Sequence, residues 1–471
     1  MSTCMLAPVL LTSCEKSIQQ PLAIVLTVPS EEISIQQGEI VDITFTVQNL
    51  PEGCNGVEVS VIQDIDLFTV DTEYEADGIS GIISVKAPEM IYSPQSVNIS
   101  VTATATPSGE TAKADVMINA VMYDGYTEIE APANCYIVQP GAFVKFPANI
   151  GNTAETATFT TAELLWQDTD GLVTAVSAAP ESNAIYAILA PETSGNAVIA
   201  IKDENGTTVW SYHLWITDYD PEATAMDWTN GSTSVSYTIM DRHLGALSVD
   251  PQSSLSNGLF YQWGRKDPFI SSDNQGNLKT MYDISGKQVE KIIEPCGASD
   301  NITVSIANPL THYSGVSGGD YSWLTNDPSF LASDTVKDLW GGVSGEKTKY
   351  DPCPDGWKII PSDGWAFIKD ETASVTKVYS DSAPETPSNK DMRGWMVSIN
   401  SYSLYLPSQG EVQHDGSYVN GVGSTWPCGK VWSANLNEYT KCMCVGSTPS
   451  SLSANTGTPL GYELAVRCVK M

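Results

Sequence analysis

Apolar and polar residues alternate along residues 20–122, and this alternation restricts the fold more than any other feature of the chain. Ile43, Phe45 and Val47 are separated by single polar residues, and the same spacing recurs over residues 57–61 and 97–103. A period of two places apolar side chains on one face of a β-strand. Short strands divided by turns such as Pro51-Glu52-Gly53 therefore predict an antiparallel β-sandwich over residues 15–122.

A second β-rich block follows at residues 123–222. Asn205-Gly206 lies between two apolar runs, and this dipeptide is typical of a tight hairpin turn. In the second run, Trp210, Tyr212, Leu214 and Ile216 are two residues apart and can share one face of a strand. We therefore expect a second β-sandwich.

The remaining residues, 223–471, differ in composition. Nine of the 12 Trp residues lie from Trp228 onward, and helical patterns are confined to residues 334–340 and 362–369. Brief strands joined by long polar segments predict an α+β domain with much irregular structure. A chain of 471 residues has room for these three domains.

The charge excludes one class of partner. The net charge is −33, with 29 acidic and 5 basic residues over 1–220, against 27 and 18 over 221–471. Such a surface repels phosphate backbones, and no local basic patch offsets it. Nucleic-acid binding is therefore not expected.

The N-terminal segment has the features of an export signal. No apolar run reaches the 18 residues of a membrane span. Residues 5–11 are apolar and lead into LTSC (11–14), which has the form of a bacterial lipobox ending at Cys14. This predicts a signal peptide over residues 1–14 and a lipid anchor on Cys14 that holds the protein at the outer membrane. The alternative is a short apolar leader ending at a chance cysteine, since no basic residue precedes it.

The spacing of the possible ligand residues gives little support for a metal site. The chain has no Cys-x-x-Cys pair, and its four His residues are too far apart for a zinc-binding helix. An acidic run, Asp71, Glu73, Glu75 and Asp77, would share one face of an extended segment. It is interpreted either as a calcium site or, in preference, as a solvated acidic strand edge.

Two short patterns approach catalytic motifs. GVSGG (315–319) fits the nucleophile elbow of serine hydrolases, but neither a strand before it nor a helix after it is expected. GGVSGEKT (341–348) lacks the Gly-Lys-Thr ending of a phosphate-binding loop. Both are interpreted as glycine-rich loops.

A set of six motifs in the last block resembles one known domain. The motifs are MDRHLGA (240–246), GLFYQWGRKDPF (258–269), DPCPDGW (351–357), LPSQG (406–410), VWSA (431–434) and VRCVK (466–470). Together they are similar to the Fibrobacter succinogenes major paralogous domain of Bacteroidetes surface lipoproteins, which resembles a C-type-lectin-like fold. Upstream, ANCYIV (133–138) looks like the second sandwich of fimbrillin-type proteins. The predicted fold is thus multidomain and mainly β: two Ig-like or fimbrillin-like sandwiches, then a C-type-lectin-like α+β domain over 223–471.

The resemblance implies one disulfide and argues against one activity. In lectin-like folds the first and last core strands are adjacent, which implies a bond between Cys353 and Cys468. The calcium-dependent sugar motifs Glu-Pro-Asn, Gln-Pro-Asp and Trp-Asn-Asp do not occur in the sequence. Formylglycine-generating enzymes share a related fold and use paired cysteines, but Cys442 and Cys444 are too close together for that role. Neither enzymatic activity nor a cofactor is expected.

Two polar, aromatic segments of the last block are candidates for ligand contact. Asn and Tyr side chains combine rigid aromatic surface with adaptable hydrogen bonding, although they are also common in ordinary loops. The candidate binding residues are His414, Tyr418, Asn420, Trp426, Asn435, Asn437, Tyr439 and Lys441.

These features predict a non-enzymatic surface lipoprotein, a fimbria-associated or tip adhesin whose lectin-like head binds a host or glycan ligand. The alternatives are a stand-alone receptor and a structural pilus subunit. Fimbrillin-type subunits polymerise after cleavage by an arginine-specific protease, and no Arg precedes Arg242. This favours a terminal subunit, or no polymer, over a repeating shaft subunit.

Overall fold

The chain divides into two compact units, an N-terminal unit, Met1–Tyr123, and a C-terminal unit, Asp124–Met471. The computed structural model describes residues 23–89, 91, 95–121, 125–273, 276–297, 301–315, 321–325, 327–382, 388–422, 429–438 and 441–471. Both units are built mainly from β-strands. Within these residues no helix combines the length and the apolar character that a membrane crossing needs.

The N-terminal unit is a β-sandwich. Its strands are β1 (Val25–Thr27), β2 (Ile33–Gln36), β3 (Ile40–Gln48), β4 (Gly56–Gln63), β5 (Thr69–Tyr74), β6 (Ser80–Lys86), β7 (Gln95–Thr106) and β8 (Thr111–Val121). They form two four-stranded sheets, in the orders β1-β3-β6-β5 and β2-β8-β7-β4. These orders correspond to the ABED and CFG sheets of an Ig domain, with β2 added beside the last strand. The predicted Ig-like sandwich is confirmed.

The core of this unit follows the alternation in the sequence. Ile43, Phe45 and Val47 of β3 are buried in one cluster with Val97 and Ile99 of β7. Both sheets contribute residues to this cluster. The intervening polar residues of β3 face solvent. Each sheet therefore has one buried face and one face exposed to water, as a period of two requires.

The acidic run lies at a sheet edge. Asp71 and Glu73 are exposed on β5, the last strand of its sheet. Asp77 instead caps the following turn, where its carboxylate accepts hydrogen bonds from the backbone N–H groups of Ile79 and Ser80. No group of metal-ligating side chains occurs among the described residues. The geometry is that of a solvated acidic edge.

The C-terminal unit begins with a second sandwich. Its strands are β9 (Thr127–Glu128), β10 (Cys135–Val138), β11 (Phe143–Pro147), β12 (Thr161–Gln167), β13 (Val173–Ala179), β14 (Ala184–Leu189), β15 (Gly195–Lys202) and β16 (Thr208–Ile216). β15 and β16 form the hairpin predicted at Asn205-Gly206, in which the Asp203 carboxylate accepts from the N–H groups of Asn205 and Thr207. Trp210, Tyr212, Leu214 and Ile216 belong to one core cluster.

The rest of this unit contains short strands and helices. The helices are α1 (Pro221–Thr224), α2 (Asn301–Ala307), α3 (Pro328–Leu331) and α4 (Asp334–Lys337), with 3₁₀ turns at Pro180–Ser182, Ser254–Ser256, Ser362–Lys369 and Asn389–Asp391. The strands are β17 (Met226–Thr229), β18 (Ser236–Ile239), β19 (Phe260–Gln262), β20 (Met281–Tyr282), β21 (Gln288–Val289), β22 (Ile292–Pro295), β23 (Thr311–Ser314), β24 (Trp357–Ile359), β25 (Ser374–Tyr379), β26 (Met392–Ile399), β27 (Tyr402–Pro407), β28 (Glu411–Val412), β29 (Tyr418–Val419), β30 (Gly429–Glu438), β31 (Lys441–Ser447), β32 (Leu452–Pro459), β33 (Glu463–Ala465) and β34 (Cys468–Lys470). The helical segment expected at 334–340 is thus shorter, and that at 362–369 is 3₁₀.

The boundary expected after residue 222 does not separate compact units. One sheet has the order β10-β16-β15-β12-β20-β21, so strands from both sides of that position pair within it. Trp166 and Trp215 of the sandwich share a core cluster with Tyr261 and Trp263. Because residues 223–471 cover its outer face, β16 is buried along nearly its whole length. The second and third predicted domains are one structural unit.

Buried polar contacts join these two parts. The Asn134 side-chain amide donates to the carbonyl oxygens of Lys349 (2.7 Å) and Asp351 (2.9 Å). The Ser211 hydroxyl donates to the Asp267 carboxylate at 2.5 Å, and the Lys266 ammonium lies 2.6 Å from the same carboxylate. The motif GLFYQWGRKDPF therefore contains a buried ion pair, Lys266–Asp267, and both of its members hydrogen-bond to Ser211 of the sandwich.

The disulfide implied by the resemblance is present. Cys353 and Cys468 are bonded, with Cα atoms 6.1 Å apart and a separation of 115 residues. Cys468 lies opposite Ile359 in the β24–β34 pair. A cross-link that closes so long a loop stabilises the fold by about 4 to 5 kcal/mol through lost chain entropy in the unfolded state.

The structure corrects the expectation for one of the two motifs that resemble catalytic sites and agrees with the interpretation of the other. β23 ends at Ser314, directly before GVSGG, so the expectation that no strand precedes this motif is wrong. Residues 316–319 lie outside the described residues. In GGVSGEKT, the Asp338 carboxylate accepts from the backbone N–H groups of Val343 and Ser344. These amides are occupied within the loop itself.

Candidate functional site

The predicted binding residues do not form one cluster. His414, Tyr418 and Asn420 lie on and beside the β28–β29 hairpin, whereas Asn435 lies on β30. Asn437 and Lys441 belong to β30 and β31, but their side chains are outside the described part of the structure, as are Trp426 and Tyr439 altogether. Cys14 is likewise outside the described residues.

Three of these side chains hold the fold together. The Tyr418 hydroxyl donates to the Gln409 carbonyl at 2.9 Å, and the Asn420 side chain closes a local turn with Val422. The Asn435 amide accepts from the Ser362 N–H at 2.8 Å and donates to the Gly342 carbonyl at 2.6 Å. Their polar atoms are engaged within the protein.

His414 instead belongs to a surface cluster of three rings, which we call the aromatic platform: Tyr321, His414 and Tyr462. The His414 ring stacks on Tyr321, with centroids 4.0 Å apart and planes inclined by 29°, and its centroid lies 5.8 Å from that of Tyr462. Tyr321 is 38% exposed, while His414 and Tyr462 are half-buried. The platform thus presents aromatic surface to solvent.

Close backbone packing sets the platform geometry. The Gly461 N–H donates to the Tyr321 carbonyl, and the Gly315 N–H donates to the His414 carbonyl, both at 2.9 Å. A Cβ added at Gly315 or Gly461 would lie 2.1 or 2.3 Å from the Tyr321 carbonyl oxygen, so only glycine permits this approach. Tyr321 itself has a φ of 59°, a conformation that side-chain-bearing residues seldom adopt. Such outliers persist only where the surrounding structure imposes them.

A buried ionic cluster supports the platform from below. Glu463, adjacent to Tyr462, lies 2.7 Å from His312 Nδ1 and 2.9 Å from Lys291 Nζ. His312 Nε2 lies 3.3 Å from the His414 carbonyl oxygen. Burial raises the pKa of Glu463, but the Lys291 ammonium and His312 outweigh it and hold that pKa below its ordinary value. Glu463 is therefore an anion fixed beneath the rings.

Charged groups form the rim of the platform. Lys430 Nζ lies 5.3 Å from the centre of the Tyr462 ring and 2.9 Å from the Glu411 carboxylate. Burial raises the pKa of Glu411, opposed by Lys430. Asp415, beside His414, accepts from the Ser417 hydroxyl, and this bond lowers the pKa of Asp415. Of these groups Asp415 is exposed, Lys430 is half-buried and Glu411 is buried, so the Lys430 ammonium and the Asp415 carboxylate are the charges that the rim presents.

Only His414 of the platform was predicted from the sequence. Tyr321 and Tyr462 come from segments far apart along the chain, and the hydrogen bond between Gly461 and Tyr321 is what joins them. Gly461 directly precedes Tyr462, whereas Tyr321 stands between Asp320 and Ser322, so the two segments share no sequence pattern that could have singled them out.

Comparisons with known proteins give no family. No family model matches the chain, and no curated protein matches it. Among solved structures, the titin domains Z1Z2 in complex with telethonin align with 42% of this chain and 98% of that chain, at 13% identity and a TM-score of 0.17. The Ig1-2 module of the Drosophila receptor protein tyrosine phosphatase DLAR aligns with 42% and 100%, at 12% identity and a TM-score of 0.16. Domains 4–9 of the surface-layer protein SbsC align with 45% and 34%, at 15% identity and a TM-score of 0.16. TM-scores this low support no argument, so the fold assignment rests on strand order alone.

Proposed function

We propose that this chain is a non-enzymatic lipoprotein of the bacterial cell surface whose C-terminal unit is a ligand-binding head. The observation that carries the proposal is the aromatic platform of Tyr321, His414 and Tyr462, with Tyr321 exposed and held in an uncommon backbone conformation. Rigid aromatic rings with a polar rim are typical of binding surfaces, because they bury large areas at little cost in conformational entropy.

The arrangement of the imidazole rings supports binding over catalysis. The His414 ring stacks on Tyr321 and lies tilted against Tyr462, and both nitrogens of His312 are engaged by Glu463 and the His414 carbonyl. A general base needs a nitrogen within hydrogen-bond reach of the proton that it removes. Here the buried cluster serves to fix the platform.

A lectin-like head is supported by the pairing of strands from opposite ends of residues 223–471. β18, near the beginning, pairs antiparallel with β34, near the end, and β24 pairs with β34 on its other edge. The Cys353–Cys468 disulfide joins the same region. We propose that this head is displayed from an outer-membrane lipid anchor on Cys14.

We further propose that the protein acts at a fimbrial tip or as a stand-alone receptor. The absence of Arg before Arg242 supports this placement over a protease-processed shaft subunit. The ligand would be a host protein or a glycan. Shearing native cells and analysing what co-precipitates with the head distinguishes the two placements. Mass spectrometry of Cys14 tests the anchor, and an unmodified Cys14 would contradict it.

Adhesion measurements test the platform. Native cells displaying the wild-type protein, Tyr321→Ala or His414→Ala are compared for adhesion to epithelial monolayers and to immobilised mucin. We expect each platform variant to reduce adhesion at least five-fold. Tyr74→Ala is the matched control, because Tyr74 is 48% exposed and belongs to the N-terminal unit. Adhesion unchanged in both platform variants, at equal surface expression, would overturn the proposal.

A further inference from the structure

The outer edge of β4 in the N-terminal unit is only partly occupied. Among the described strands, β4 pairs with β7 alone and is the last strand of its sheet. In an antiparallel pair, every second residue bonds to the neighbouring strand. The Asp64 N–H continues this ladder by donating to the Asn98 carbonyl, so the even-numbered residues of β4 face β7. The residues whose backbone groups face the outer edge are Val57, Val59, Val61 and Gln63.

The unit itself occupies the first half of this edge. The Val57 N–H donates to the Gly78 carbonyl at 3.0 Å. The Val59 N–H donates to the Tyr74 hydroxyl at 2.9 Å. The outward N–H groups within residues 61–63 have no partner in the described part of the chain. We call these three residues the open β4 edge, and their outward donors and acceptors are available to an added strand.

Exposed apolar side chains accompany the open β4 edge. Ile62 is 66% exposed, the largest value for a large apolar side chain among the described residues, and Ile65 in the following loop is 46% exposed. The Gln63 side chain closes that loop, because it accepts from the N–H groups of Leu67 and Phe68 and donates to the Phe68 carbonyl. An unpaired strand edge beside exposed apolar side chains is a typical site for strand addition by another chain.

The charges around the open β4 edge are all negative. The hydrogen bonds of Tyr74 and Gly78 place residues 69–78 beside β4. The charged side chains of residues 55–66 and 69–78 are Glu58, Asp64, Asp66, Asp71, Glu73, Glu75 and Asp77, all of them exposed. Residues 23–121 contain 15 acidic and 2 basic residues in total. Such a surface attracts a cationic partner and repels a second copy of the same chain.

We infer that the open β4 edge binds a basic, extended segment of a partner protein, which adds to the sheet as a strand beside β4. Main-chain hydrogen bonds to residues 61–63 supply affinity, and the side chains that alternate along the added strand supply specificity. Ile62 and Glu58 lie on the same outer face of β4, four residues apart. The partner segment therefore carries an apolar and a basic residue at this spacing. The surface lies in the N-terminal unit, so the inference goes beyond the platform-based function.

Peptide binding to the full chain tests the inference. The probe is a fluorescent peptide in which Lys and Val alternate, followed by anisotropy. Two further peptides are compared with it: one in which Glu replaces Lys, and one whose backbone nitrogens are methylated and cannot donate. Ile62→Lys places a cation on the open β4 edge. Ile40→Lys is the matched control, because Ile40 is 63% exposed but lies on β3, which has a paired strand on each side in the other sheet. Hydrogen exchange followed by mass spectrometry locates the bound peptide.

We expect the Lys-Val peptide to bind and to slow hydrogen exchange in residues 57–63. Ile62→Lys and methylation of the peptide backbone should each weaken binding ten-fold or more, whereas Ile40→Lys and Tyr321→Ala should leave it unchanged. The inference is overturned if the Lys-Val peptide does not bind, if the Glu-Val or the methylated peptide binds as well, or if Ile40→Lys weakens binding as much as Ile62→Lys. A wild-type dimer that Ile62→Lys converts to a monomer, measured by sedimentation, would assign the edge to a second copy and also overturn it.

Discussion

The N-terminal and C-terminal units use their interiors differently. Among the described residues of the N-terminal unit, no polar or charged side chain is buried, and its core is aliphatic and aromatic. The C-terminal unit buries Arg265, Lys266, Asp267, Glu463 and Arg467, each at most 3% exposed. An apolar core is specified by the periodicity of each strand, whereas a buried charge is tolerated only when distant residues supply its partners.

This difference explains why the first unit is self-contained and the second cannot be divided. In the N-terminal sandwich the strands leave one face of each sheet exposed to water, so no further layer of structure is needed to cover it. In the second sandwich, β15 and β16 are buried along nearly their whole length because residues 223–471 cover the outer face. We therefore expect the chain to tolerate separation near residue 123 and not near residue 222.

Truncation gives the largest expected effect. Residues 23–121 and residues 125–471 should each fold alone and unfold cooperatively in urea. Residues 223–471 alone should expose the surface that Trp166 and Trp215 bury, and they should aggregate or lack a cooperative transition. Circular dichroism and size-exclusion chromatography measure both properties. A monomeric, cooperatively folding 223–471 fragment would show that the two parts of the C-terminal unit are independent after all.

Removing one partner of the buried Lys266–Asp267 ion pair should have the second-largest effect. Lys266→Met leaves the Asp267 carboxylate with the Ser211 hydroxyl and with Arg265, whose Nε is 3.8 Å away. Leaving a buried charge uncompensated costs about 3 kcal/mol or more of unfolding free energy. Every Trp of the chain lies at residue 166 or later, so Trp fluorescence in urea reports this unit alone.

Two variants control the ion-pair experiment. Lys337→Met breaks an exposed pair with Asp334, and surface pairs contribute less than about 1 kcal/mol. The double variant Lys266→Met/Asp267→Asn removes both charges and should recover much of the lost stability. Equal effects of Lys266→Met and Lys337→Met would mean that the buried pair does not anchor the sandwich.

Sequence patterns predicted the features that are local. The alternation around Ile43 and Phe45 predicted the first sandwich, and Asn205-Gly206 predicted the β15–β16 hairpin, because strand period and turn chemistry act between near neighbours. The strand at Thr311–Ser314 was missed because His312 is polar, although it is buried against Glu463, 151 residues away. Tyr321 and Tyr462 of the platform were missed for the same reason, because the contact that joins them is between residues far apart in the sequence.

The free energy of unfolding of the two units should depend differently on pH, because every histidine of the chain lies in the C-terminal unit. His213 is fully buried beside Asn196, and burial lowers the pKa of His213 to about 3 from an ordinary value near 6.5. Above pH 6.5 the imidazole is neutral in both states. Between pH 6.5 and about 3 the unfolded state binds the extra proton, so the free energy of unfolding decreases as the pH falls, by at most about 1.4 kcal/mol per pH unit.

Urea unfolding of the C-terminal unit between pH 6.5 and 4, followed by Trp fluorescence, measures this dependence. His213→Gln should reduce the slope, while the buried His243, whose pKa burial also lowers, keeps part of it. No His precedes His213, so residues 23–121 should lack a histidine-dependent slope. An unchanged slope in His213→Gln would mean that His213 is not held neutral by burial.

The smallest expected effect comes from deleting one methylene group from each core. Ile99 in β7 and Ile199 in β15 are both 0% exposed, so Ile99→Val and Ile199→Val form a matched pair. Each should lower the unfolding free energy of its own unit by about 1 kcal/mol, the usual cost of this substitution in a packed core. Ile199→Val should shift the urea transition seen by Trp fluorescence, and Ile99→Val should shift only the transition of the Trp-free unit, seen by circular dichroism. If Ile99→Val also shifted the Trp signal, the two units would be energetically coupled, and the independence inferred from their separate cores would have to be abandoned.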